Sequence, residues 1–515
     1  MATGKSYLKN VKGSSLKIIL FIAAPLFAAY LLMFVELVPG KPEVTATLAI
    51  TIWVAIWWVI EVVPLGITSL LPVVLFPLFG VMNGKTVSSS YFNHVIFLFI
   101  GGFIVALAIQ KWNLHKRMAL WILNFVGNSP GRLLFGFMFT TAFLSMWISN
   151  TATAMLMVPI IISIIHKLEI INGEKAVRLF SLGLLLSIAY SASIGGIATL
   201  VGTPPNLSFA RIFEVYFPLA PEISFSNWMI FALPISIVMF AVTWVYLYFF
   251  YVKNGNQWKN IERSELSDEL KALGPMSQEE KVVGIVFFLL AILWMFRANI
   301  TIGSFKIMGW SSLFENPSFI NDGTVAILMA IILFVIPSKS QKGKFLMDWK
   351  AAENIPWEII LLFGGGFALA HGFKVSGLSS WFGGQLMFLS EVSPFILVLI
   401  IVFLITFLTE VTSNTATVET FLPILAGLAV SIEVNPLLFM IPATVAGSFA
   451  FMLPVATPPN AIIFGTKRVT IKDMAKAGFA LNLIGTIIIA FGCYYWGRYV
   501  FGIELGVFPD WAIIK

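Results

Sequence analysis

Ser149-Asn150-Thr151-Ala152-Thr153 recurs without change as Ser413-Asn414-Thr415-Ala416-Thr417, 264 residues further along the chain. Each copy interrupts a long apolar stretch, at about 132–166 and 393–431. Each stretch is too long for one membrane crossing, and its halves are short for two full crossings. We therefore predict two re-entrant hairpins, at 131–167 and 393–431, each with the polar motif at its tip. Such a tip is tolerated in a membrane only where it is buried in protein or lines a watery cavity.

Two further motifs recur in the same order. Upstream, Ile100-Gly101-Gly102-Phe103 aligns with Gly364-Gly365-Gly366-Phe367 at the same separation of 264 residues. Downstream, Thr203-Pro204-Pro205-Asn206 recurs as Thr457-Pro458-Pro459-Asn460 after 254 residues. The recurrence of three motifs predicts a duplicated unit, at about 44–252 and 281–502.

The composition is that of an integral membrane protein. Of the 515 residues, 59% are hydrophobic and 11% are charged, and the mean hydropathy is +0.93. So much apolar surface exceeds what soluble cores can bury. The apolar stretches continue for about 20 residues, which favours helices over an outer-membrane barrel, whose strands alternate over about 10. The single cysteine, Cys493, excludes an intrachain disulfide and a cysteine-cluster metal site.

Eleven apolar segments have about the length of a spanning helix. They lie at 17–37, 44–60, 66–82, 95–112, 178–213, 226–252, 281–296, 323–337, 356–373, 438–463 and 475–500. The first lacks a convincing small-residue cleavage site, so we interpret it as a retained helix and not as a signal peptide. Eleven transmembrane helices and two re-entrant hairpins make the predicted fold an all-α membrane protein.

The positive charges predict the orientation of the chain. If the N-terminus is cytoplasmic, 24 of the 32 Lys and Arg residues fall on the cytoplasmic side and 8 outside. Cytoplasmic loops retain positive charge, so this bias supports the crossing count. It also predicts a cytoplasmic N-terminus with an extra first helix at 1–43, a cytoplasmic linker at 253–280 and an external C-terminus at 503–515. The net charge of +7 therefore reports topology and does not indicate a nucleic-acid partner.

Each duplicated unit holds five crossings, and an odd number inverts the second unit in the membrane. The hairpin tips then meet near the midplane, beside helices broken within 178–213 and 438–463. Inverted repeats with broken central helices are the architecture of secondary transporters. The prolines free carbonyls such as those of Gly202 and Ala456 for a cation. The helix that resumes after each break offers N–H groups and a positive dipole end to a carboxylate.

This motif set resembles the divalent anion/sodium symporter family of dicarboxylate, citrate and sulfate carriers, over essentially the whole chain after the first helix. The resemblance implies an elevator mechanism, in which hairpins and broken helices move as a block against a scaffold. It also implies a homodimer, which we place in the cell membrane. Carried over by motif, one Na⁺ site would use Ser145, Ser149, Asn150 and Gly202, and a second Thr409, Ser413, Asn414 and Ala456. Substrate carboxylates would contact Asn150, Thr151 and Thr203 on one side and Asn414, Thr415 and Thr457 on the other.

The predicted function is secondary transport of C4–C5 dicarboxylates: succinate, malate, fumarate or 2-oxoglutarate. No Arg or Lys belongs to the set of ligands, so coupling to Na⁺ is favoured as the means of offsetting the substrate charge. The alternative is Na⁺-independent exchange, such as 2-oxoglutarate/malate antiport, with His371 or Lys374 replacing a sodium charge. A structural interpretation of that pair is that Lys374 extends to the outer membrane surface and His371 packs beside it. Citrate and sulfate are further alternatives.

Two other classes of protein fit the sequence less well. An ion channel needs a continuous pore and gives no reason for closed hairpin tips. An enzyme needs clustered acid, base or metal ligands, and the sequence shows no such His/Glu spacing, so neither catalysis nor a cofactor is expected. Glu410 and Glu419 flank the second tip, where a charge is costly. They would support the hairpin through hydrogen bonds, or one of them would take part in proton coupling.

Overall fold

The computed structural model describes residues 15–127, 129–253, 264–302 and 305–513, and most of them are helical. Among these residues, eight helices are long and apolar enough to cross a membrane. Four shorter apolar helices accompany them, at Leu65–Leu78, Asp322–Val335, Pro394–Leu408 and Leu437–Ala446. The eleven crossings and the inverted arrangement stay predictions. Residues 1–14 and 254–263, parts of the predicted cytoplasmic N-terminus and linker, lie outside the described residues, as do 514 and 515 at the predicted external C-terminus.

The first half of the chain consists of α-helices, and the last of them is followed by a π-helical turn, Tyr248–Val252. These helices are α1 (Ser15–Phe34), α2 (Pro42–Ile60), α3 (Leu65–Thr68), α4 (Leu71–Leu78), α5 (Gly84–Ser89), α6 (His94–Lys111), α7 (Leu114–Val126), α8 (Pro130–Ser145), α9 (Asn150–Asn172), α10 (Glu174–Gly196), α11 (Pro204–Tyr216) and α12 (Phe225–Leu247).

The second half repeats much of this order, with a π-helical turn at Gly492–Gly497. A small antiparallel pair, β1 (Ile300–Ile302) and β2 (Phe305–Ile307), places Thr301 opposite Lys306. The helices are α13 (Ser264–Ala272), α14 (Gln278–Met295), α15 (Asp322–Val335), α16 (Trp349–Ala352), α17 (Trp357–Ser376), α18 (Leu378–Gln385), α19 (Pro394–Leu408), α20 (Asn414–Ser431), α21 (Leu437–Ala446), α22 (Pro458–Gly465), α23 (Ile471–Phe491) and α24 (Arg498–Phe501).

Each stretch predicted as a hairpin consists of two helices joined by a short non-helical tip. The first tip lies between α8 and α9, and the second between α19 and α20. Both α8 and α19 begin with a proline, which suits a first helical turn because the amide hydrogen that proline lacks would have no intrahelical acceptor there. Ser129 and Ser393 precede these prolines, and each side chain accepts a hydrogen bond from a backbone N–H of the first turn.

The two helices predicted as broken are interrupted before their Pro-Pro pairs. α10 ends at Gly196 and α11 begins at Pro204, while α21 ends at Ala446 and α22 begins at Pro458. α10 is buried along most of its length and contributes many residues to the hydrophobic core. The first break is therefore held inside the protein, whereas the second exposes Val455.

The segment predicted as one crossing at 66–82 is divided into α3 and α4. Pro72 stands at the start of α4. It has no amide hydrogen to donate to the carbonyl four residues earlier, so a continuous helix cannot pass this point without losing a bond. Apolar composition alone does not reveal that interruption.

Helix α17 is closely surrounded where it carries three consecutive glycines. A Cβ atom at Gly364 would overlap the ring of Tyr91, and one at Gly365 would overlap Ser69. A Cβ atom at Gly366 would overlap the carboxyl group of Glu419. This glycine run therefore allows α20 and the segments before α6 to approach the α17 backbone.

Candidate functional site: a cavity between two hairpin tips and two helix breaks

Both tips and both breaks line one cavity of about 600 Å³. Ten of the residues predicted from the motifs lie in its wall. They are Ser149, Asn150, Thr151, Gly202 and Thr203 from the first unit, and Ser413, Asn414, Thr415, Ala456 and Thr457 from the second. Segments separated by more than 250 residues in sequence thus meet around one space.

Four helices begin at this cavity. α9 and α20 start at Asn150 and Asn414, and α11 and α22 start at Pro204 and Pro458, and all four residues line the wall. The first N–H groups of a helix have no intrahelical acceptor, and the helix dipole is positive at that end. The four starts therefore make the cavity favourable for an anion without a fixed cation.

Behind the first tip, Ser145 is fully buried and does not reach the cavity wall. Its hydroxyl contacts Asn150 Oδ1 and lies 2.8 Å from the carbonyl oxygen of Ala192, on α10. Gly196 and Gly202 approach so closely that a Cβ at Gly196 would lie 2.8 Å from Asn150 Oδ1 and 3.1 Å from the Gly202 carbonyl oxygen. This niche of hydroxyl, amide and carbonyl oxygens has the ligand chemistry of Na⁺.

The second tip repeats this arrangement with a threonine. The hydroxyl of Thr409 lies 2.6 Å from Asn414 Oδ1 and 3.1 Å from the carbonyl oxygen of Gly447, which directly follows α21. Thr409 is also fully buried behind the tip. Ser413 and Ala456 line the adjoining wall. A second oxygen-rich niche therefore lies next to the cavity.

Sequence reasoning missed one pair of residues that shapes both breaks. The Asn206 side-chain amide donates to the carbonyl of Thr199 at 2.7 Å, and that of Asn460 donates to Ala450 and Leu453 at 3.0 and 2.9 Å. Both asparagines are fully buried. They are the fourth residues of the duplicated Thr-Pro-Pro-Asn motif, so the signal was present in the sequence.

The two threonines of that motif differ in their local bonding. Thr457 Oγ1 accepts a hydrogen bond from Asn460 N at 3.3 Å and caps α22. The Thr203 side chain makes no such bond at the start of α11. The Thr203 hydroxyl is therefore the freer of the two for a ligand.

Charged side chains are scarce in the cavity. Lys17 of α1 and Glu61, just after α2, are the charged residues among the described lining residues. No group of three or more His, Cys, Asp or Glu residues suited to a metal ion occurs in the described part of the chain. A dianion would be held here by helix ends, hydroxyls, amides and co-bound cations.

His371 and Lys374 are not among the residues that line the cavity. Lys374 Nζ donates to the carbonyls of Val215 and Tyr216, at 2.7 and 3.1 Å. These carbonyls belong to the last turn of α11, where a helix dipole is negative and favours a cation. Lys374 thus binds the end of α11 that lies away from the cavity.

The two glutamates of the second hairpin have different surroundings. Glu410 accepts hydrogen bonds from the backbone N–H groups of Phe451, Met452 and Leu453, at 2.7 to 2.9 Å, and from Asn482 at 2.7 Å. It therefore fixes the segment that leads into the second break. Glu419 accepts one bond, from Ser208 at 2.7 Å.

Comparisons with known proteins agree over most of the chain. The family described as the sodium:sulfate symporter transmembrane region matches residues 15–503. The sodium-dependent dicarboxylate transporter SdcS of Staphylococcus saprophyticus is 44% identical over 463 residues, 89% of this chain and 87% of the relative. SdcS of Staphylococcus aureus strain RF122 is 44% identical over 489 residues, 94% of this chain and 92% of the relative. Neisseria gonorrhoeae MtrF, of a class of antimetabolite efflux pumps, shares the fold with a TM-score of 0.56, at 12% identity over 96% of both chains.

Proposed function

Because the chain belongs to the sodium:sulfate symporter family, we propose that it is a secondary transporter of C4–C5 dicarboxylates driven by Na⁺. The observation that carries the proposal is the cavity in which two hairpin tips and two helix breaks meet. Its four helix starts favour an anion, and its two oxygen-rich niches favour Na⁺. The SdcS relatives are named as sodium-dependent dicarboxylate transporters. Transport, and not catalysis, is the activity of this site.

The duplication of the cavity wall supports a substrate with two carboxylates. One carboxylate would bind Asn150, Thr151 and Thr203, and the other Asn414, Thr415 and Thr457. Succinate, malate, fumarate and 2-oxoglutarate present an anionic group at each end of a short chain, which suits a site with the same groups on both sides. Sulfate has one charged centre and citrate carries a third carboxylate, so both match this wall less well.

The scarcity of basic side chains supports the coupling to Na⁺. Lys17 is the basic residue among the described lining residues, and it belongs to α1 and not to the tips or breaks. Na⁺ bound by Ser145, Ser149, Asn150 and Gly202, and by Thr409, Ser413, Asn414 and Ala456, would supply the missing positive charge beside the substrate. Exchange without Na⁺ would need another cation at the site, and Lys374 is engaged with the end of α11.

We also propose an elevator movement in a homodimer of the cell membrane. The moving block would comprise the hairpin helices α8, α9, α19 and α20, the broken helices α10, α11, α21 and α22, and α12 and α23. The remaining long helices would form the scaffold, with α7 and α18 as connecting arms. α7 exposes Trp121 and Phe125, as expected for a helix on a membrane surface. Lys17 and Glu61 line the cavity and belong to helix ends that the charge bias assigns to the cytoplasm, which supports a conformation open to that side.

Uptake of labelled succinate into proteoliposomes tests the function. We expect an inward Na⁺ gradient to drive accumulation, and malate, fumarate and 2-oxoglutarate to compete more strongly than citrate or sulfate. Uptake that depends on internal unlabelled dicarboxylate and ignores the Na⁺ gradient would establish exchange in place of symport. Absence of both would refute dicarboxylate transport.

The Asn150→Ala and Asn414→Ala variants test the site. Each removes the amide at a hairpin tip, next to both a cation niche and the cavity, so we expect uptake to be abolished while the protein still purifies as a folded species. Asn354→Ala, which changes an exposed asparagine outside the cavity, is the matched control and should transport normally. Normal uptake by both tip variants would contradict the assignment of the site.

A further inference from the structure

Glu419 is a buried carboxyl group that the proposed substrate and Na⁺ sites do not use. It lies on α20, five residues after Asn414, and its side chain is fully buried. Its Oε1 atom accepts a hydrogen bond from Ser208 Oγ of α11 at 2.7 Å. Its Oε2 atom has no hydrogen-bond partner among the described residues.

The Glu419 carboxyl group lies against the backbone of α17, across the proposed interface between the moving block and the scaffold. A Cβ atom at Gly366 would overlap Glu419 Oε2, so the glycine creates the space that the carboxyl group fills. α20 and α11 belong to the proposed moving block, and α17 to the scaffold. An ionised carboxylate with one bare oxygen is far costlier to bury than a neutral carboxyl group. This environment therefore favours the protonated form.

Among the described residues, no hydrogen bond links Glu419 to a cation: Oε1 is bonded to Ser208 and Oε2 has no hydrogen-bond partner. The titratable group that faces it is Tyr91, whose hydroxyl donates to the Ser69 carbonyl at 2.5 Å. Arg211 is paired with Glu214, and Lys374 binds carbonyls of α11. The charged or titratable residues of the helices packed against α20 are Glu43 of α2, Arg211, Glu214 and Tyr216 of α11, and Glu358, His371 and Lys374 of α17; α18, α19 and α21 carry none.

The first unit has no counterpart of this group. The residue 264 positions before Glu419 is Met155, which is 62% exposed. Gly102, the counterpart of Gly366, faces Trp294 and Val201 instead. Glu419 is therefore an addition to the duplicated binding machinery, close to one substrate half-site but distinct from it.

We propose that Glu419 is a proton-binding site of this transporter, which holds its proton while α20 and α11 are docked on α17 and releases it when they separate. The proposal rests on the proposed function, because it needs the moving block to leave the scaffold. In the docked conformation the carboxyl group is fully buried and fills the space left by the missing side chain of Gly366. After separation the group meets water and ionises, and it must bind a proton again before the block can return. Proton concentration thus sets the balance between the two conformations.

Infrared spectroscopy of the purified protein in lipid tests whether Glu419 holds a proton. At pH about 7.5, exposed carboxyl groups are ionised. We expect the spectrum of the wild type minus that of Glu419→Gln to show a neutral carboxyl C=O band and no ionised carboxylate bands. Ionised carboxylate bands in that difference would overturn the proposal. Met155→Gln, which places the same amide at the equivalent exposed position, should give no carboxyl band in either form.

A second variant keeps this test decisive if Glu419→Gln does not fold. Ser208→Ala retains the carboxyl group and removes the hydrogen bond to Oε1. We expect the neutral C=O band to move to higher frequency in Ser208→Ala, because a hydrogen bond to the carbonyl oxygen lowers that frequency. An unmoved band would show that it belongs to another carboxyl group and would overturn the assignment.

Thiol labelling tests the link between the proton and the movement. Ala370 of α17 is fully buried and lies four residues after Gly366, on the helix face that meets Glu419 of α20, and the only native cysteine is buried Cys493. In a Cys493→Ala background, the Ala370→Cys thiol should react only after α20 leaves α17. The quantity compared is the labelling rate of this protein divided by that of the same protein with Glu419→Gln. We expect this ratio to rise by up to about tenfold for each pH unit above the titration of Glu419. The ratio to the glutamine variant cancels the pH dependence of the thiol itself.

The two proposals fail in different ways. A ratio that stays constant with pH overturns the proton switch, and Na⁺-driven succinate uptake by the same protein shows that the transport function survives. If the wild type takes up no dicarboxylate under any gradient, the proposed transport function is wrong. The difference between the infrared spectra of the wild type and Glu419→Gln still decides whether Glu419 holds a proton.

Discussion

Asn206 and Asn460 make matching contacts at the two helix breaks. Each donates a hydrogen bond from its side-chain amide to the carbonyl seven residues earlier, at 2.7 Å for Asn206 and 2.9 Å for Asn460. Each therefore closes a loop across a break and holds the backbone carbonyls of that loop in a fixed arrangement. The geometry of the breaks depends on these amides even without a bound ion.

Replacing either asparagine with alanine should destabilise the protein. The carbonyls of Thr199 or Leu453 would lose buried donors, and an unsatisfied buried polar group costs about 1–3 kcal/mol. Thermal unfolding of the purified Asn206→Ala and Asn460→Ala variants measures this loss, with exposed Asn354→Ala as the control. An unchanged melting temperature in both variants would refute a structural role for the amides.

Thr409→Val should weaken Na⁺ binding. It keeps the shape of the side chain but removes the hydroxyl that contacts Asn414 and the Gly447 carbonyl. We expect the Na⁺ concentration for half-maximal succinate uptake to rise by about tenfold or more, which corresponds to about 1.4 kcal/mol. Thr406→Val is a matched control, because the Thr406 hydroxyl is buried and has no partner among the described residues. Equal effects of the two variants would contradict a specific role for Thr409.

Thr203→Val and Thr457→Val should differ from each other. Both remove a hydroxyl from the cavity wall, so both should raise the KM for succinate. Thr457→Val also removes the cap of α22 and should cost about 1 kcal/mol of stability, whereas Thr203 makes no cap bond. Uptake kinetics and thermal unfolding of the same preparations separate the two effects. An unchanged KM in both variants would show that neither hydroxyl contacts substrate.

Gly195→Ala should disrupt the packing of the first hairpin on the broken helix. A Cβ atom at Gly195 of α10 would overlap the backbone of Ala142 on α8, and backbone cannot move aside cheaply. We expect a loss of about 1–3 kcal/mol. Gly465→Ala, at the end of α22 with open space around it, should be neutral or slightly stabilising. Thermal unfolding compares the pair; similar stability of both variants would argue against tight contact between α8 and α10.

The predicted site residues came from the duplication. Asn150 and Asn414 stand at the same place in an identical pentapeptide, so their importance could be inferred without knowing their neighbours. Their convergence was expected from an inverted repeat whose tips meet near the midplane, and both residues line the one cavity. Ser145 and Thr409 were placed only by resemblance, because their contacts with Ala192 and Gly447 join helices that are distant in sequence.

Other features could not be inferred because their partners lie far along the chain. Lys374 near the end of a predicted crossing suggested a side chain extending to the membrane surface, yet it binds carbonyls of α11, about 160 residues earlier. Glu410 and Glu419 lie nine residues apart on one hairpin and looked alike. One meets three backbone N–H groups and an amide, and the other meets a single hydroxyl, because different helices pack around each turn.

The three glycines of α17 have a consequence for how the sequence can vary. Successive residues of a helix point about 100° apart, so Tyr91, Ser69 and Glu419 approach α17 from three different directions. No rotation of the helix could make room for a side chain at one position without closing another. In a saturation mutagenesis library selected for growth on dicarboxylate, positions 364–366 should therefore stand out as a block that accepts almost no replacement, in contrast to the exposed Trp357 and Val375 of the same helix.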